Sequence, residues 1–354
     1  MNSTSDMPRQ TPWPHRLAVA LLCATFPLIW IGGLVTTMDA GMAVEDWPTT
    51  YGYNLFLYPW DTWIFGPFDL FIEHGHRLLG SLVGFITIGL VFAVFLGDRR
   101  AWMKVVAVIA LLGVIGQGVL GGMRVLFDDR QLAMIHGCVG PAFFALVVAI
   151  TTFTSHYWHE AQRYSSPSSL STGRKVQRLS LITLGLAYLQ LVLGAGLRHM
   201  PIDATAGYFK AIVLFHLLMA AALAVHAVLL FRATRGVTEM MLARRGVTIT
   251  AFVFFQIALG TATWVVKYGW PSWFADYSFA AGYTVETNSW LQVIVTTMHV
   301  ANGSMILAHT TAMTIGALRV FPFLGTAEEE ESGESAKTLH SGNAARGAGL
   351  THST

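Results

Sequence analysis

Eight long apolar runs, separated by short polar segments, dominate the chain. They lie at about 17–38, 71–96, 102–124, 132–155, 177–199, 209–232, 246–267 and 290–318. A helix that crosses the hydrocarbon core of a bilayer needs about 20 apolar residues, and each run has this length. Backbone polar groups in lipid must be hydrogen-bonded within their own segment, so each run predicts a helix. The pattern therefore predicts an all-α membrane protein with eight transmembrane helices, which we number spans 1 to 8.

The composition agrees with a membrane protein. The 354 residues are 54% hydrophobic and 12% charged, whereas soluble domains carry about 25% charged residues. The two cysteines, Cys23 and Cys138, both lie inside apolar runs, which excludes a disulfide between loops and a CxxC motif. The first run is long and has no cleavage pattern after it, so it predicts a retained helix. The polar segment 1–16 is short for a mitochondrial leader, which favours a bacterial cytoplasmic membrane.

The placement of basic residues predicts the orientation. With the N-terminus inside, 16 of the 22 Lys and Arg residues lie on the inner side, as the positive-inside rule requires. The first outer loop, 39–70, has five acidic residues and no Lys or Arg. Both termini are therefore predicted to be cytoplasmic. The segment 324–354 is rich in Glu, Ser and Gly and is predicted to be a disordered cytoplasmic tail.

The chain is predicted to be a duplication of two pseudo-symmetric four-helix bundles. The N-terminal half is 17–155, the linker is 156–176, and the C-terminal half is 177–318. A Gln-x-x-Leu-Gly motif begins at Gln117, Gln190 and Gln256. Gln117 follows His76 by 41 residues, and Gln256 follows His216 by 40. The small residues of the motif suit close contact between helices in lipid.

Four histidines on even-numbered spans are the candidate ligands. They are His76, His136, His216 and His299, two in each half, all toward the outer ends of their spans. Ionisable groups within a membrane are costly and mark function. Two imidazoles that face each other across a bundle can be the axial ligands of a haem iron. Histidines bonded to neighbouring helices remain an alternative, as do zinc or copper sites, although no cysteine or inward carboxylate pair completes a cage.

Charged residues at the same depth extend the predicted site. Arg77, Arg124 and Arg198 are candidates for binding haem propionates, with snorkelling to the interface as the alternative. Glu73 lies three residues before His76 and shares its helix face, which makes it the candidate catalytic carboxylate. The alternative for Glu73 is a helix-start residue stabilised by the helix dipole.

Three further histidines receive weaker predictions. His74 faces away from His76 and is given no role. His226 and His309 each follow a proposed ligand by ten residues, so a deeper haem between spans 6 and 8 stays open beside ordinary packing. The competing functions are a non-catalytic b-type cytochrome and a transporter with a histidine proton relay. The internal prolines, Pro27 and Pro141, do not form the matched pair of broken helices that a transporter favours.

These motifs resemble the haem A synthase family over about residues 17–318. The residues that carry the resemblance are Glu73-His-Gly-His76-Arg77 in span 2, Gln117-x-x-Leu-Gly-Gly-x-Arg124 in span 3, Gln190-x-x-Leu-Gly-Ala in span 5, Gly32-Gly33-Leu-Val-Thr36-Thr in span 1, Gly41 and Trp47-Pro48 after it, and single histidines in spans 4, 6 and 8. The resemblance implies oxidation of the C8 methyl of haem O to a formyl group, which gives haem A for terminal oxidases. It also implies that His216 and His299 ligate a resident haem b, while His76 and His136 flank the substrate haem O and Glu73 assists the oxidation.

The first outer loop departs from part of this family. Some members carry a cysteine pair there, whereas residues 39–70 contain no cysteine, so a thiol relay in this loop is excluded. The loop is aromatic instead, which is typical of a cap at the membrane interface. The partners expected are haem O, the lipid bilayer, and no nucleic acid. A haem O synthase, an electron-transfer partner and a homo-oligomer stay open.

Overall fold

The computed structural model describes residues 11–161, 167–237 and 239–321. Within these residues it is all-helical, with eight helices long and apolar enough to cross a membrane. Spans 1 to 8 are Trp13–Thr37, Phe68–Gly97, Ala101–Leu126, Arg130–Thr154, Pro167–Arg198, Ala206–Thr234, Met240–Tyr268 and Trp290–Val320. The predicted fold class and number of spans are confirmed. The predicted disordered tail, 324–354, lies outside the described residues.

The helices extend beyond the apolar runs because backbone hydrogen bonding continues into the polar residues that flank them. Span 5 begins at Pro167, ten residues before its apolar run, and span 7 begins six residues early, at Met240. Side-chain caps determine three of the starts. Asp129, Thr205 and Ser289 accept hydrogen bonds from the first backbone N–H groups of spans 4, 6 and 8. Hydropathy therefore locates the lipid-embedded part of each helix, and caps locate its end.

The spans pack as two rings of four. Span 1 contacts spans 2 and 4, and span 3 contacts the same two. Spans 5 to 8 repeat this arrangement, with spans 5 and 7 each contacting spans 6 and 8. The rings meet where span 8 packs against spans 1 and 4, and where span 4 packs against span 5. The cytoplasmic position of the termini, the domain boundaries and the pseudo-symmetry of the halves stay predictions.

Each ring has an apolar core at one end. In the N-terminal half the core comprises Ala18, Leu21, Val83, Leu90, Val94, Met103, Ala107, Ala110, Phe143, Val147 and Ile150. These residues come from the start of the odd-numbered spans and the end of the even-numbered spans. A corresponding cluster fills the same end of the C-terminal half. The opposite end, where the even-numbered spans begin, contains the four candidate histidines, and we call it the histidine end.

Two long loops cover the histidine end. The first runs from Met38 to Pro67 and contains a 3₁₀ turn, Ala40–Met42, and a short helix, Trp60–Ile64. The second connects spans 7 and 8 and contains the short elements Ser272–Phe274 and Ser278–Ala281. Both loops contain aromatic side chains that pack on one another.

Candidate functional site

The four candidate histidines form two pairs, one in each half. The ring centroids of His76 and His136 are 6.5 Å apart, with their planes at 79°. Those of His216 and His299 are also 6.5 Å apart, with their planes at 62°. A metal–imidazole bond is about 2 Å long and the ring centroid lies about 1 Å behind the nitrogen, so two axial ligands on one ion place their centroids roughly 6 Å apart. Both pairs have the separation that two ligands of one iron require.

Each imidazole lies over a glycine of the preceding odd-numbered span. A Cβ on Gly32 would be 2.9 Å from Cε1 of His76. The corresponding distances are 3.2 Å from Gly121 to His136, 3.2 Å from Gly194 to His216 and 3.1 Å from Gly260 to His299. We call these four residues the seat glycines. A Cβ at any of these positions would press on the ring, so the seat glycines allow each imidazole to lie close against the neighbouring helix.

A second set of contacts between neighbouring spans lies one helical turn away from the seat glycines. The residue four before each seat glycine is Leu28, Gln117, Gln190 or Gln256, and the residue four after each histidine is Gly80, Gly140, Ala220 or Gly303. In three of the four pairs, the Leu or Gln side chain packs over the small residue that lies four positions after the histidine. The amide nitrogen of Gln256 is 3.4 Å from a Cβ position on Gly303, that of Gln117 is 3.8 Å from one on Gly140, and Cδ1 of Leu28 is 4.0 Å from one on Gly80.

The ring nitrogens are suited to ligation. Nδ1 of each of the four imidazoles is buried and has no hydrogen-bond partner among the described residues. An unpaired buried nitrogen costs free energy unless a ligand uses it. Within the same residues no third His, Cys, Asp or Glu joins either pair. Protein zinc sites take three or four such ligands, whereas a porphyrin itself supplies the equatorial nitrogens of its iron. Two-imidazole sites therefore fit haem better than a bare metal ion.

Glu73 and Arg77 together anchor the first loop to span 2. Arg77 donates hydrogen bonds from Nη1 to the carbonyls of Asp46 (2.7 Å) and Thr49 (3.0 Å), and from Nη2 to that of Val44 (2.6 Å). Nη2 also forms a 2.9 Å ion pair with Oε1 of Glu73. The other oxygen of Glu73 accepts the backbone N–H of Val44 at 2.9 Å. The loop backbone is thus bound by both members of a buried ion pair.

His74, for which the sequence predicts no role, is a further anchor of the first loop. Its side chain is 1% exposed, and its Nδ1 lies 3.1 Å from Oγ1 of Thr50. The rings of Tyr58 and Trp63 pack against it, with centroids at 5.2 and 5.0 Å. The prediction that His74 faces away from His76 agrees with this position. Its burial depends on a loop fold that helical periodicity does not reveal.

The first loop also contacts span 3. The indole of Trp47 lies directly against Gly122, and the guanidinium of Arg124 lies directly against Gly41. Neither glycine could carry a Cβ without displacing these groups. The loop therefore covers the N-terminal half from span 2 to span 3, with Arg124 at its inner surface.

Arg198 connects the two halves. Its Nη2 donates to the carbonyl of Gly33 at 2.6 Å and to Oγ1 of Thr37 at 2.5 Å, both in span 1. Oγ1 of Thr37 in turn lies 3.3 Å from that of Thr297 in span 8. Nη1 of Arg198 is buried and has no hydrogen-bond partner among the described residues. This nitrogen is a donor available to an anion. Gly32, the residue before Gly33, seats His76.

His199 follows span 5 directly and was not singled out by its sequence. Its Nε2 is 3.8 Å from a Cβ position on Gly137, the neighbour of His136. Burial, together with the positive charges of Arg198 and Arg124, lowers the pKa of His199 from 6.5 to about 4. A neutral imidazole therefore lies between the two halves at the histidine end.

The two deeper histidines, His226 and His309, each contact a neighbouring group of the protein. Nδ1 of His226 is 2.9 Å from the carbonyl of Ala222 in its own helix. The ring of His309 stacks on Phe252, with centroids 5.2 Å apart. These contacts favour the packing alternative over a deeper haem.

Comparison with known proteins identifies the family. A family model described as cytochrome oxidase assembly protein, COX15-CtaA, matches residues 15–277. The chain belongs to this family. The match includes three of the four seat-glycine and histidine pairs and stops before span 8, so it does not include His299.

Individual relatives in the family are distant. Heme A synthase of Shouchella clausii is 30% identical over 141 residues, which are 38% of this chain and 44% of that protein. Heme A synthase of Halalkalibacterium halodurans is 24% identical over 183 residues, 50% of this chain and 57% of that protein. Heme A synthase of Hyphomonas neptunium is 23% identical over 239 residues, 55% of this chain and 62% of that protein. The matched stretches therefore span about half the length of these relatives.

Proposed function

We propose that this chain is a haem A synthase of a bacterial cytoplasmic membrane, which oxidises the C8 methyl group of haem O to a formyl group. The observation that carries the proposal is the repeated imidazole pair, with a 6.5 Å centroid separation in each half. Family membership and the three relatives named heme A synthase support it.

The two pairs take different porphyrins in this proposal. His216 and His299 hold a resident haem b, which when bound supplies a one-electron carrier. His76 and His136 hold the substrate haem O beneath the first loop. The duplicated fold thus provides one cofactor site and one substrate site at the same depth in the membrane.

With water as the source of the oxygen atom, conversion of a methyl to a formyl group (CH3 + H2O → CHO + 4 H+ + 4 e−) releases four electrons and four protons. The protein must therefore release protons and pass electrons to an acceptor, which we assign to an electron-transfer partner. Glu73 is the carboxylate on the substrate side, three residues before His76. Its role is to accept a proton at Oε1, where the bond to Arg77 would have to open. The first loop covers this side of the N-terminal half, with Trp47 against span 3.

Arg198 and Arg124 are the candidates for binding haem propionates, whereas Arg77 holds the first loop. Arg198 has a buried, unpartnered Nη1 and is the strongest candidate for a propionate in the C-terminal half, since guanidinium and carboxylate pair well. Arg124, at the inner surface of the first loop, is the candidate for the N-terminal half. The nitrogens of Arg77 are bonded to the loop, so a propionate there would replace loop carbonyls.

A non-catalytic b-type cytochrome is the second candidate function. Both Glu73 oxygens are engaged, one by the loop N–H of Val44 and the other by Arg77 of span 2, and this favours the cytochrome, because a structural ion pair needs no catalytic purpose. The two functions make opposite predictions about the pigment that the protein produces.

The decisive experiment is expression of the full chain with a haem O supply, followed by pigment extraction and mass analysis. A haem A synthase yields haem A, and it yields none when both His76 and His136 are replaced by alanine. Bound haem b with unchanged haem O would instead identify a cytochrome. A pigment-free preparation would refute both. Contact with a haem O synthase, which would hand over the substrate through the bilayer, can be tested on the same material by co-purification.

A further inference from the structure

Three spans, drawn from both halves, meet at Gly33 of span 1. Its carbonyl accepts hydrogen bonds from Nη2 of Arg198 in span 5, at 2.6 Å, and from the hydroxyl of Thr37, at 2.8 Å. The same Nη2 donates to the Thr37 hydroxyl at 2.5 Å. The methyl group of Thr297 in span 8 is 3.1 Å from a Cβ position on Gly33. We call Gly33, Thr37, Arg198 and Thr297 the junction.

The junction lies beside the candidate ligands of both halves. Gly33 directly follows the seat glycine of His76. Thr297, which is fully buried, comes two residues before the candidate ligand of span 8. Arg198 lies four residues after the seat glycine of His216, which is about one helical turn. A movement at the junction therefore reaches the ligands through the helices that carry them.

The contact is directed from the C-terminal half to the N-terminal half. The residue four positions after the seat glycine is Arg198 in span 5 and Thr36 in span 1. Thr36 donates its hydroxyl to the carbonyl of Gly32 in its own helix, at 3.1 Å, whereas Arg198 reaches another helix. Its guanidinium lies at the C-terminal end of span 1, where the helix dipole stabilises a cation. Span 5 thus holds the outer end of span 1.

We infer that Arg198 is a positioning residue for His76, through which the C-terminal half controls a ligand of the N-terminal half. Loss of its bond to Gly33 frees the outer end of span 1, and the preceding seat glycine moves with it. A Cβ on that glycine would be 2.9 Å from the His76 ring, so a small movement of span 1 changes the position of the ring. The inference rests on the proposed function only for the binding of haem by His76 and His136.

The test uses the full-length protein in detergent with His216→Ala and His299→Ala, so that only the N-terminal half binds haem. This protein is titrated with iron protoporphyrin IX, and its visible and paramagnetic resonance spectra are recorded. With no porphyrin in the C-terminal half, a change at Arg198 acts on the N-terminal haem without an effect on a second porphyrin.

Arg198→Met is expected to weaken haem binding in this background about fivefold, the lower end of the usual coupling between two sites. Part of the haem should also change from low spin to high spin. Thr37→Val removes the hydroxyl that joins Arg198 to Gly33 and leaves the charge unchanged, so it should shift binding and spectrum in the same direction. Thr25→Val is the matched control, because the Thr25 hydroxyl bonds to Leu21 in its own helix.

Two results would overturn the inference. One is an Arg198→Met protein that binds haem within twofold of its parent and has the same spectrum. The other is a Thr37→Val protein that behaves like Thr25→Val, because the loss of a charge or of a propionate donor would then explain any effect of Arg198→Met. If Arg198→Met does not fold, the comparison of the two threonine variants decides the question.

Hydrogen exchange of the protein without haem separates this inference from the proposed function. Arg198→Met should accelerate exchange at the last amides of span 1, Thr36 and Thr37, whose helical acceptors are the seat glycine and Gly33. Unmodified protein that binds no haem contradicts the proposed function, and unchanged exchange in the variant would then also overturn the role of Arg198. Protein that binds haem, with exchange and spectra indifferent to Arg198→Met, keeps the imidazole pairs and removes only this role.

Discussion

His216 lies over Gly194 so closely that a Cβ on the glycine would be 3.2 Å from its ring. This contact joins span 6 to span 5 at the level where His299 approaches from the opposite side. It is one of four such contacts, and it makes a residue without a side chain part of the candidate haem site. The position of the imidazole is thus controlled from the neighbouring helix.

Replacing the seat glycine is therefore expected to disturb the ligand. Gly194→Ala should push the His216 ring away and convert part of the C-terminal haem from low spin to high spin in the visible and paramagnetic resonance spectra. Gly196→Ala is the matched control, because a Cβ at Gly196 has no heavy atom within 4 Å. Equal spectra for the two variants would show that the seat has no effect on ligation.

Removing either ligand of the C-terminal pair is expected to abolish its low-spin b-type spectrum. His216→Ala and His299→Ala should each do so, because one imidazole cannot hold both axial positions. His226→Ala serves as the control, since its ring bonds within its own helix. Unchanged spectra in both ligand variants would exclude this haem site.

The loop anchor can be tested without pigment. Arg77→Gln leaves the buried Glu73 carboxylate unpaired, which costs about 3–5 kcal/mol locally. We expect faster hydrogen exchange at the Val44 amide and its neighbours. Adding Glu73→Gln to Arg77→Gln should restore part of the protection, because the uncompensated charge is removed. If the single variant exchanges like the unmodified protein, Arg77 does not hold the loop.

Glu73→Ala is expected to keep bound haem and to lose formyl production. The carboxylate is three residues from a ligand but touches loop backbone, so haem retention should depend on the histidines. Glu45→Ala provides the control, as an exposed carboxylate of the same loop. Haem A formed at the normal rate by the Glu73 variant would contradict a catalytic role.

His199 predicts an acid-dependent loss of stability. Its pKa is about 4 in the folded protein against an ordinary value of 6.5, so the fold favours the neutral ring. That contribution is complete above pH 6.5 and is lost as the pH falls to about 4. The lost stability is on the order of 1–2 kcal/mol, after allowing for partial exposure of the ring.

The measurement for His199 is a comparison of thermal unfolding at pH 7 and pH 4.5. The unmodified protein should lose more stability between these values than His199→Gln, whose side chain does not titrate. Parallel losses in the two proteins would mean that His199 is not held neutral by its surroundings.

Much of the helical framework follows from sequence. Hydropathy predicts eight spans because lipid imposes length and composition together, and the paired histidines follow from their regular spacing. Three of the four seat glycines, Gly121, Gly194 and Gly260, end the Gln-x-x-Leu-Gly motif, yet their contact with imidazole depends on the rotation of two helices. That rotation is determined by the packing of the helices, and the periodicity of the sequence does not reveal it.

The first loop could not be predicted beyond its aromatic character. Its path depends on contacts between residues far apart in the chain, such as Val44 with Glu73 and Trp47 with Gly122.

The way Arg77 holds the first loop has a consequence for divergence among relatives. The guanidinium binds main-chain oxygens of Val44, Asp46 and Thr49, which every amino acid possesses. Side chains in this stretch can therefore be exchanged during evolution while the attachment persists. The loop side chains that face a bound molecule can therefore change to suit a different molecule, while the hydrogen bonds from Arg77 to the loop backbone remain.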